Sequence, residues 1–228
     1  MQDHNAPPLN PLPMVVWALA LPILAMEAVL GLAEAGIIGG PTGIGWRLEA
    51  VERFAFSPDL LRYMWDVGAY TPDRLYRLIS YPFVHANFTH ALFATVILLA
   101  LGKMVGEVFR WWAVLVVFFG ASVVGALVYT AALPAAQVPL LGAYPPVYGM
   151  IGAFTFLLWV NLAAVGANKY RAFSMIGFLL GIQLVFGLLF GGGYDWIADL
   201  AGFATGFVLS FVVSPGGFGR VRDKMRQR

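Results

Sequence analysis

The sequence predicts an all-α, polytopic membrane protein. The mean hydropathy is +0.78, only 11% of the 228 residues are charged, and several apolar runs approach the roughly 20 residues that a helix needs to cross the hydrocarbon core. The isoelectric point near 9.0 reflects a net charge of only +2, which we attribute to membrane topology rather than to nucleic-acid binding. The absence of cysteine from the sequence excludes a disulfide framework and thiolate metal sites.

The N-terminal segment divides into a polar tail and an apolar run. Residues 1–13 are rich in proline and contain no Lys or Arg, which is typical of a short disordered tail and not of the basic start of a signal peptide. The apolar run from Met14 to about Ile38 predicts the first membrane-spanning helix. Glu27 lies near its middle, so this carboxylate either has a partner inside the bundle or belongs to a functional site.

Residues 39–87 predict a long first loop. Ten acidic and basic residues lie between Arg47 and Arg77, and apolar residues recur between them at helical spacing. The Trp, Tyr and Phe residues of the loop suit the membrane interface, where one side of an aromatic ring meets lipid and the other meets water. We therefore predict short amphipathic helices that lie on one leaflet or dip into it.

Five further spanning helices follow the loop, and they complete a predicted membrane domain over residues 14–213. The fourth is predicted to start after Pro145 and Pro146, since proline is tolerated in the first turn of a helix. The basic segment 214–228 is predicted to be a tail. The predicted helices cover residues 88–104, 111–132, 147–165, 172–190 and 196–213.

Six helices place both termini on the same side of the membrane. The two loops and the C-terminal tail on that side contain nine Lys and Arg residues, whereas the two short loops on the opposite side contain none. The long first loop on the opposite side contains five arginines, but acidic residues balance them and long loops weigh less in the rule. Because positively charged loops stay in the cytoplasm, we predict cytoplasmic termini and a multi-pass protein of the plasma (inner) membrane. The basic residues counted are Lys103, Arg110, Lys169, Arg171, Arg220, Arg222, Lys224, Arg226 and Arg228.

Two histidines introduce the second helix, in the stretch YPFVHANFTHALF that begins at Tyr81. Such side chains in an apolar run need a partner or a water-filled cavity. This stretch resembles the second helix of the rhomboid family, intramembrane serine proteases with a six-helix core and a long first loop. VYGMIGAF (147–154) resembles the family's small-residue fourth helix, and ADLAGFATG (198–206) its sixth. The resemblance covers the chain from Trp46 onward and implies a rhomboid-like six-helix bundle.

The resemblance also implies a degenerate catalytic site. In the family, a serine in a GxSG pattern opens the fourth helix, a histidine on the sixth takes its proton, and the histidine matching His90 helps to hold the oxyanion. Here Gly142 opens the matching segment, Tyr144 stands at the serine position, Asp199 at the position of the base, and Ala94 replaces an asparagine. We expect His85, His90, Gly142, Tyr144 and Asp199 to form a water-accessible binding site, with Asp199 hydrogen-bonded to Tyr144.

Other catalytic and metal sites find less support in the sequence. Ser122 lies in GASVVG, which imitates the serine motif, but no histidine follows His90 that could act as its base. Asp195 precedes Asp199 by four residues, whereas intramembrane aspartyl proteases use two carboxylates on facing helices. His85, His90 and Asp199 lack the spacing of a metal site, so we assign neither metal nor cofactor.

Three functions remain open. The leading hypothesis is a non-catalytic rhomboid-like protein, similar to pseudoproteases and derlins, that binds transmembrane segments of client or partner proteins. The alternatives are an atypical rhomboid serine protease and an accessory subunit of a larger membrane complex. We expect lipids and transmembrane helices as partners, and no nucleic acid. A client would enter beside the fifth helix, which is rich in Phe, Leu and Gly and is followed by Gly191–Gly193.

Overall fold

The structure is a computed structural model that describes residues 11–133, 138–190 and 193–216. Within these ranges the chain is helical, and its one β-type pairing is an isolated antiparallel bridge between Phe56 and Leu140. Most of the predicted N-terminal tail, most of the basic C-terminal tail, and two of the three glycines before the last helix lie outside the described residues. The boundaries proposed for the two tails remain predictions.

The first helix, α1, spans Met14–Glu34 and is shorter than its apolar run. Gly36 takes a positive φ of 71°, which lets the chain fold back so that the Ile37 N–H donates to Leu32 O over 3.0 Å. This arrangement ends the helix because it satisfies carbonyl groups in its last turn. The predicted end near Ile38 was therefore about four residues too late.

The long loop contains five short helices, as its amphipathic pattern predicted. α4 begins at Pro58, where Ser57 Oγ accepts a hydrogen bond from the Leu60 N–H over 3.3 Å. Its apolar side chains Leu61 and Met64 are buried against Tyr81 and Tyr129. The loop is thereby held against the bundle. The five helices are α2 (Gly40–Gly43), α3 (Trp46–Phe54), α4 (Pro58–Val67), α5 (Pro72–Leu75) and α6 (Arg77–Ser80).

Five longer helices follow, and two of them have the predicted bounds. The remaining bounds shift by a few residues: α9 begins at Tyr144, so its two prolines occupy the first turn, and α10 begins after a 3₁₀ turn over Lys169–Phe173. The helices are α7 (Phe88–Gly106), α8 (Trp111–Ala132), α9 (Tyr144–Ala164), α10 (Ser174–Phe190) and α11 (Trp196–Val213).

The chain is confirmed as a polytopic helical membrane bundle. α1, α7, α8, α9 and α11 are long and apolar enough to cross a bilayer. α10 has 17 residues and extends about 26 Å, slightly less than the roughly 30 Å hydrocarbon core. It is the sixth long helix of the described chain.

Helix α9 lies at the centre, packed against α7, α8 and α11. Its backbone approaches α11 so closely that a Cβ on Gly206 would lie 1.9 Å from Gly149 O, and one on Gly152 would lie 2.1 Å from Phe203 O. Lipid tails are as apolar as leucine, so close backbone contact is what holds such helices together. The glycines bring the N-terminal ends of α9 and α11, which carry Tyr144 and Asp199, next to each other.

Candidate functional site

Tyr144 and His90 form the centre of the site. Their rings are stacked, with centroids 5.1 Å apart and planes inclined by 16°. His90 also meets the edge of the His85 ring, with centroids 5.0 Å apart. The structure therefore brings together three of the five residues that the sequence placed in the site as one continuous group of rings.

His85 holds the start of α9. Its Nε2 accepts a hydrogen bond from the backbone N–H of Ala143 over 3.1 Å, so the neutral ring carries its proton on Nδ1. The side chain is buried. Burial, together with the nearby His90 and Arg47, lowers the pKa of His85 to about 3, and the ring stays neutral at physiological pH.

Gly142 lets the turn before α9 press against the histidines. Its φ is +91°, and its N–H donates to Tyr81 O over 3.0 Å. A Cβ at this position would lie 2.6 Å from Nε2 of His90, so only glycine fits both the backbone conformation and the space. Gly142, the fourth of the predicted site residues, therefore has to be a glycine.

Asp199 lies in the first turn of α11 and is buried, 3% exposed. Burial and this carboxylate together raise the pKa of Tyr81 well above its usual value. The Tyr144 ring stacks on His90; the expected hydrogen bond between Asp199 and Tyr144 remains a prediction.

Ser122 and the pair of Asp195 with Asp199 are the alternative catalytic candidates from the sequence. Ser122 is fully buried in α8, and its Oγ donates to Phe118 O over 2.9 Å within the helix. Asp195 directly precedes α11, and its carbonyl accepts the Asp199 N–H over 3.1 Å, so the two aspartates share one chain segment. Ala94 is buried in α7 and offers no polar group to the site.

Arg47 is a site-supporting residue that the sequence alone did not identify. Its guanidinium bonds both oxygens of Glu27, over 2.9 and 2.8 Å, and both oxygens of Glu34, over 2.6 and 3.0 Å. It also donates to His85 O over 3.0 Å. Glu27 in the middle of α1 did signal a missing partner, and that partner proves to be an arginine from the first loop.

These contacts form a chain from α1 to the site. The two glutamates fix Arg47, Arg47 fixes the backbone of His85, and the His85 ring fixes Ala143. Hydrogen bonds to both carboxylates hold the pKa of Arg47 above its usual range. In the described residues, no group of three His, Asp or Glu side chains is arranged to hold a metal ion.

Comparisons with known proteins all point to the same family. A Rhomboid domain model matches residues 72–216. The chain is 28% identical over 145 residues to RHOMBOID-like protein 4 of Arabidopsis thaliana, covering 62% of this chain and 34% of the relative. It is 31% identical over 166 residues to Inactive rhomboid protein 1 of Danio rerio, covering 69% and 18%. It is also 28% identical over 148 residues to Rhomboid-like protease 2 of Toxoplasma gondii, covering 61% and 50%.

The chain spans half or less of the length of each of these relatives. The domain match, in contrast, covers more than half of the chain and includes α7 to α11 together with the candidate site. The chain therefore belongs to the rhomboid family and is a multi-pass membrane protein.

Proposed function

We propose that this chain is a non-catalytic rhomboid-like protein that binds transmembrane segments of client or partner membrane proteins. The observation that carries the proposal is the stack of Tyr144 on His90. Tyr144 stands where the family resemblance expects the serine, and its ring covers the face of the histidine that would help to hold an oxyanion. A substrate carbonyl would have to displace this ring.

The residues around the stack offer no substitute for the missing chemistry. A serine hydroxyl becomes a nucleophile when a base accepts its proton. Asp199 stands where the family resemblance expects the histidine base. The Ser122 hydroxyl donates its hydrogen bond to Phe118 O, a carbonyl of its own helix. One of the similar proteins is named an inactive rhomboid, which agrees with this proposal.

Activity is tested with purified chain, a fluorophosphonate probe and model transmembrane substrates. We expect neither labelling nor cleavage. The double variant Tyr144→Ser/Asp199→His is the positive comparison, because it restores a nucleophile and a base at the two positions. Labelling of the unaltered chain that disappears in Ser122→Ala would overturn the proposal and favour the atypical protease.

Client binding is proposed to use the outer face of α10. Phe178 on this helix is 68% exposed, and a Cβ on Gly177 or Gly181 would meet nothing within 4 Å. The side chain of a partner helix can therefore approach the α10 backbone, which favours helix association in lipid. The triple glycine that would let α10 move falls largely outside the described residues.

A photoreactive residue at Phe178 tests this surface in cells. The matched control is Phe93, a phenylalanine on α7 that is 56% exposed. We expect crosslinks from position 178, and not from position 93, to peptides that map to transmembrane segments. Equal crosslinking from both positions would contradict client binding at α10, and co-purification of one protein at fixed stoichiometry would favour an accessory subunit.

We also propose that both termini face the cytoplasm and that the protein lies in the plasma (inner) membrane. The basic residues that follow α7 and α9 support this orientation. Fusions of a fluorescent protein and of alkaline phosphatase to the C-terminus test it. We expect fluorescence and no phosphatase activity; the opposite pattern would reverse the topology.

A further inference from the structure

The first loop carries three arginines that lie on aromatic rings. The guanidinium carbon of Arg53 is 5.6 Å from the centre of the Phe54 ring, that of Arg74 is 5.8 Å from Tyr63, and that of Arg77 is 5.9 Å from Tyr76. We call these six residues the arginine–aromatic patch. The Phe54 and Tyr76 rings meet edge to face, 6.3 Å apart, so they join the contacts of Arg53 and Arg77.

The three charges of the patch are not neutralised within the described chain. The loop arginines that do pair with carboxylates are Arg47, with Glu27 and Glu34, and Arg62, with Asp59. Among the described residues, no carboxylate forms an ion pair with Arg53, Arg74 or Arg77. Aromatic rings orient a guanidinium but do not cancel its charge, so the patch retains the ability to bind an anion.

Arg77 also keeps an unused donor. One of its Nη1 N–H groups donates to Ala55 O over 3.0 Å, which fixes the guanidinium. Its Nε is buried and makes no hydrogen bond with any described residue. Because Nε is enclosed, an anion would have to bond the Nη2 group of the same guanidinium, which makes no hydrogen bond with a described residue.

Arg74 and Arg77 border a narrow crevice of about 10 Å³ between α4 and the two short helices that follow it. The remaining wall is mostly apolar and includes Phe56, Leu60, Leu61, Met64, Leu75 and Leu78. Tyr63, Trp65, Tyr70 and Ile79 are exposed in the same loop. A charged border beside an apolar surface matches an amphiphile better than a free ion.

The depth of the patch fits the headgroup region of a bilayer. On α4, Arg62 Nη2 donates to Leu133 O over 2.5 Å, and Leu133 directly follows the last residue of the spanning helix α8. Tyr81 Oη donates to Ser122 O, which lies eleven residues before Leu133 and so about 16 Å deeper along the helix axis. The loop thus extends from the end of α8 inward, and the patch lies beside α4 at the interface.

We propose that the arginine–aromatic patch binds the phosphodiester headgroup of an anionic phospholipid in the leaflet next to the first loop. Arg74 and Arg77 contact the phosphate oxygens in a forked geometry that guanidinium groups favour. The exposed aromatic side chains beside the crevice, Tyr63, Trp65 and Tyr70, contact the glycerol and the first carbons of the acyl chains. This site is separate from the Tyr144–His90 stack, and the proposal does not depend on client binding.

Native mass spectrometry of the full chain in a neutral detergent tests the site. The chain is mixed with equal amounts of phosphatidylglycerol and phosphatidylcholine, which differ in net charge. Since each interfacial arginine contributes about a fivefold preference for anionic lipid, we expect phosphatidylglycerol to be favoured about 25-fold. The double variant Arg74→Gln/Arg77→Gln should lose this preference.

Two further samples make the result specific. Lys169→Gln/Arg171→Gln removes the same charge from the loop between α9 and α10, where Lys169 also lies over the Trp159 and Tyr170 rings, but it leaves the first loop intact and should keep most of the preference. Inorganic phosphate at millimolar concentration should not displace the lipid. If loss of the Arg77–Ala55 bond unfolds the double variant, Arg74→Gln alone is used, and the preference should fall about fivefold.

Three results would overturn the proposal. These are equal binding of the two lipids, an unchanged preference in the folded Arg74 variant, and complete displacement by inorganic phosphate. The last outcome would identify an anion site without lipid recognition.

Discussion

Nε2 of His85 accepts a hydrogen bond from the backbone N–H of Ala143, 58 residues later in the chain. This bond joins the segment before α7 to the residue before α9. Because Arg47 holds the carbonyl of the same histidine, the bond also connects the first loop with the candidate site. The position of Tyr144 therefore depends on contacts that begin in α1.

His85 should make the stability of the fold depend on pH. Burial lowers its pKa to about 3, whereas the unfolded chain has an ordinary histidine pKa near 6.5. Between these values the unfolded state binds more protons, so stability falls as the pH falls. We expect a loss of about 1 to 2 kcal/mol between pH 6.5 and pH 5, measured by unfolding in mixed micelles.

His85→Gln removes the titrating group but keeps an oxygen that can accept from Ala143. This variant should lose most of that pH dependence, whereas His90→Gln should retain the contribution of His85. If the free energy of unfolding changes with pH to the same extent in the His85 variant and in the unaltered chain, His85 is not the group responsible.

Gly142→Ala should destabilise the turn before α9. The new methyl group would combine a positive φ with a 2.6 Å contact to the His90 ring, and we expect a loss of about 2 to 4 kcal/mol. Thermal unfolding of the purified chain measures it. Gly31→Ala is the matched control: a Cβ at this site on α1 meets nothing within 4 Å, and alanine favours a helix. Equal melting temperatures for the two variants would mean that the turn is not strained.

The helices were predictable because their signals are local. α8 and α11 have the predicted bounds, since each follows a charged or glycine-rich turn and consists of a long apolar run. The end of α1 was missed because the apolar run continues past Glu34, whereas the positive φ of Gly36 ends the helix there. The first loop was predicted only as a pattern of short helices, because their placement depends on packing: α4 and α6 lie against α8, and α2 and α3 lie against α1.

The candidate site was only partly predictable. Family resemblance brought Tyr144, His90 and Asp199 to one place, but it did not predict the ring stack of Tyr144 on His90. The stack depends on the three-dimensional approach of α9 to α7, which no local pattern in the sequence encodes. Arg47 could not be assigned to Glu27 because several loop arginines were possible partners, and three-dimensional packing selects one.

Gly206→Ala should separate α9 from α11. A methyl group there would lie 1.9 Å from the carbonyl oxygen of Gly149, which belongs to the backbone and cannot rotate away. We expect a loss of about 3 kcal/mol or more, with weaker contact between Tyr144 and the Asp199 region. Gly181→Ala on α10 is the control, since its Cβ has open space. Unfolding in a graded series of denaturing micelles compares the stability of the two variants. Similar losses of stability would mean that α9 and α11 do not pack as closely as described.

Arg47→Gln should be among the most damaging single changes outside the bundle. The arginine is 9% exposed and faces two carboxylates, so its removal leaves the buried Glu27 without its ion-pair partner beside Glu34. Breaking a buried ion pair in this way costs about 3 to 5 kcal/mol. Asp59→Asn is the control, because it breaks the more exposed Arg62–Asp59 pair, which is worth about 1 kcal/mol or less.

A second variant separates the effect of the buried charges from the effect of the hydrogen bond between Arg47 and His85 O. Arg47→Met/Glu27→Leu removes both buried charges and leaves the half-exposed Glu34 to be solvated by water, so it should recover much of the stability that Arg47→Gln loses. It cannot restore the hydrogen bond to His85 O, and we expect the pH dependence of His85 to weaken as the site loosens. Recovery of both stability and pH dependence would show that Arg47 stabilises α1 without positioning the candidate site.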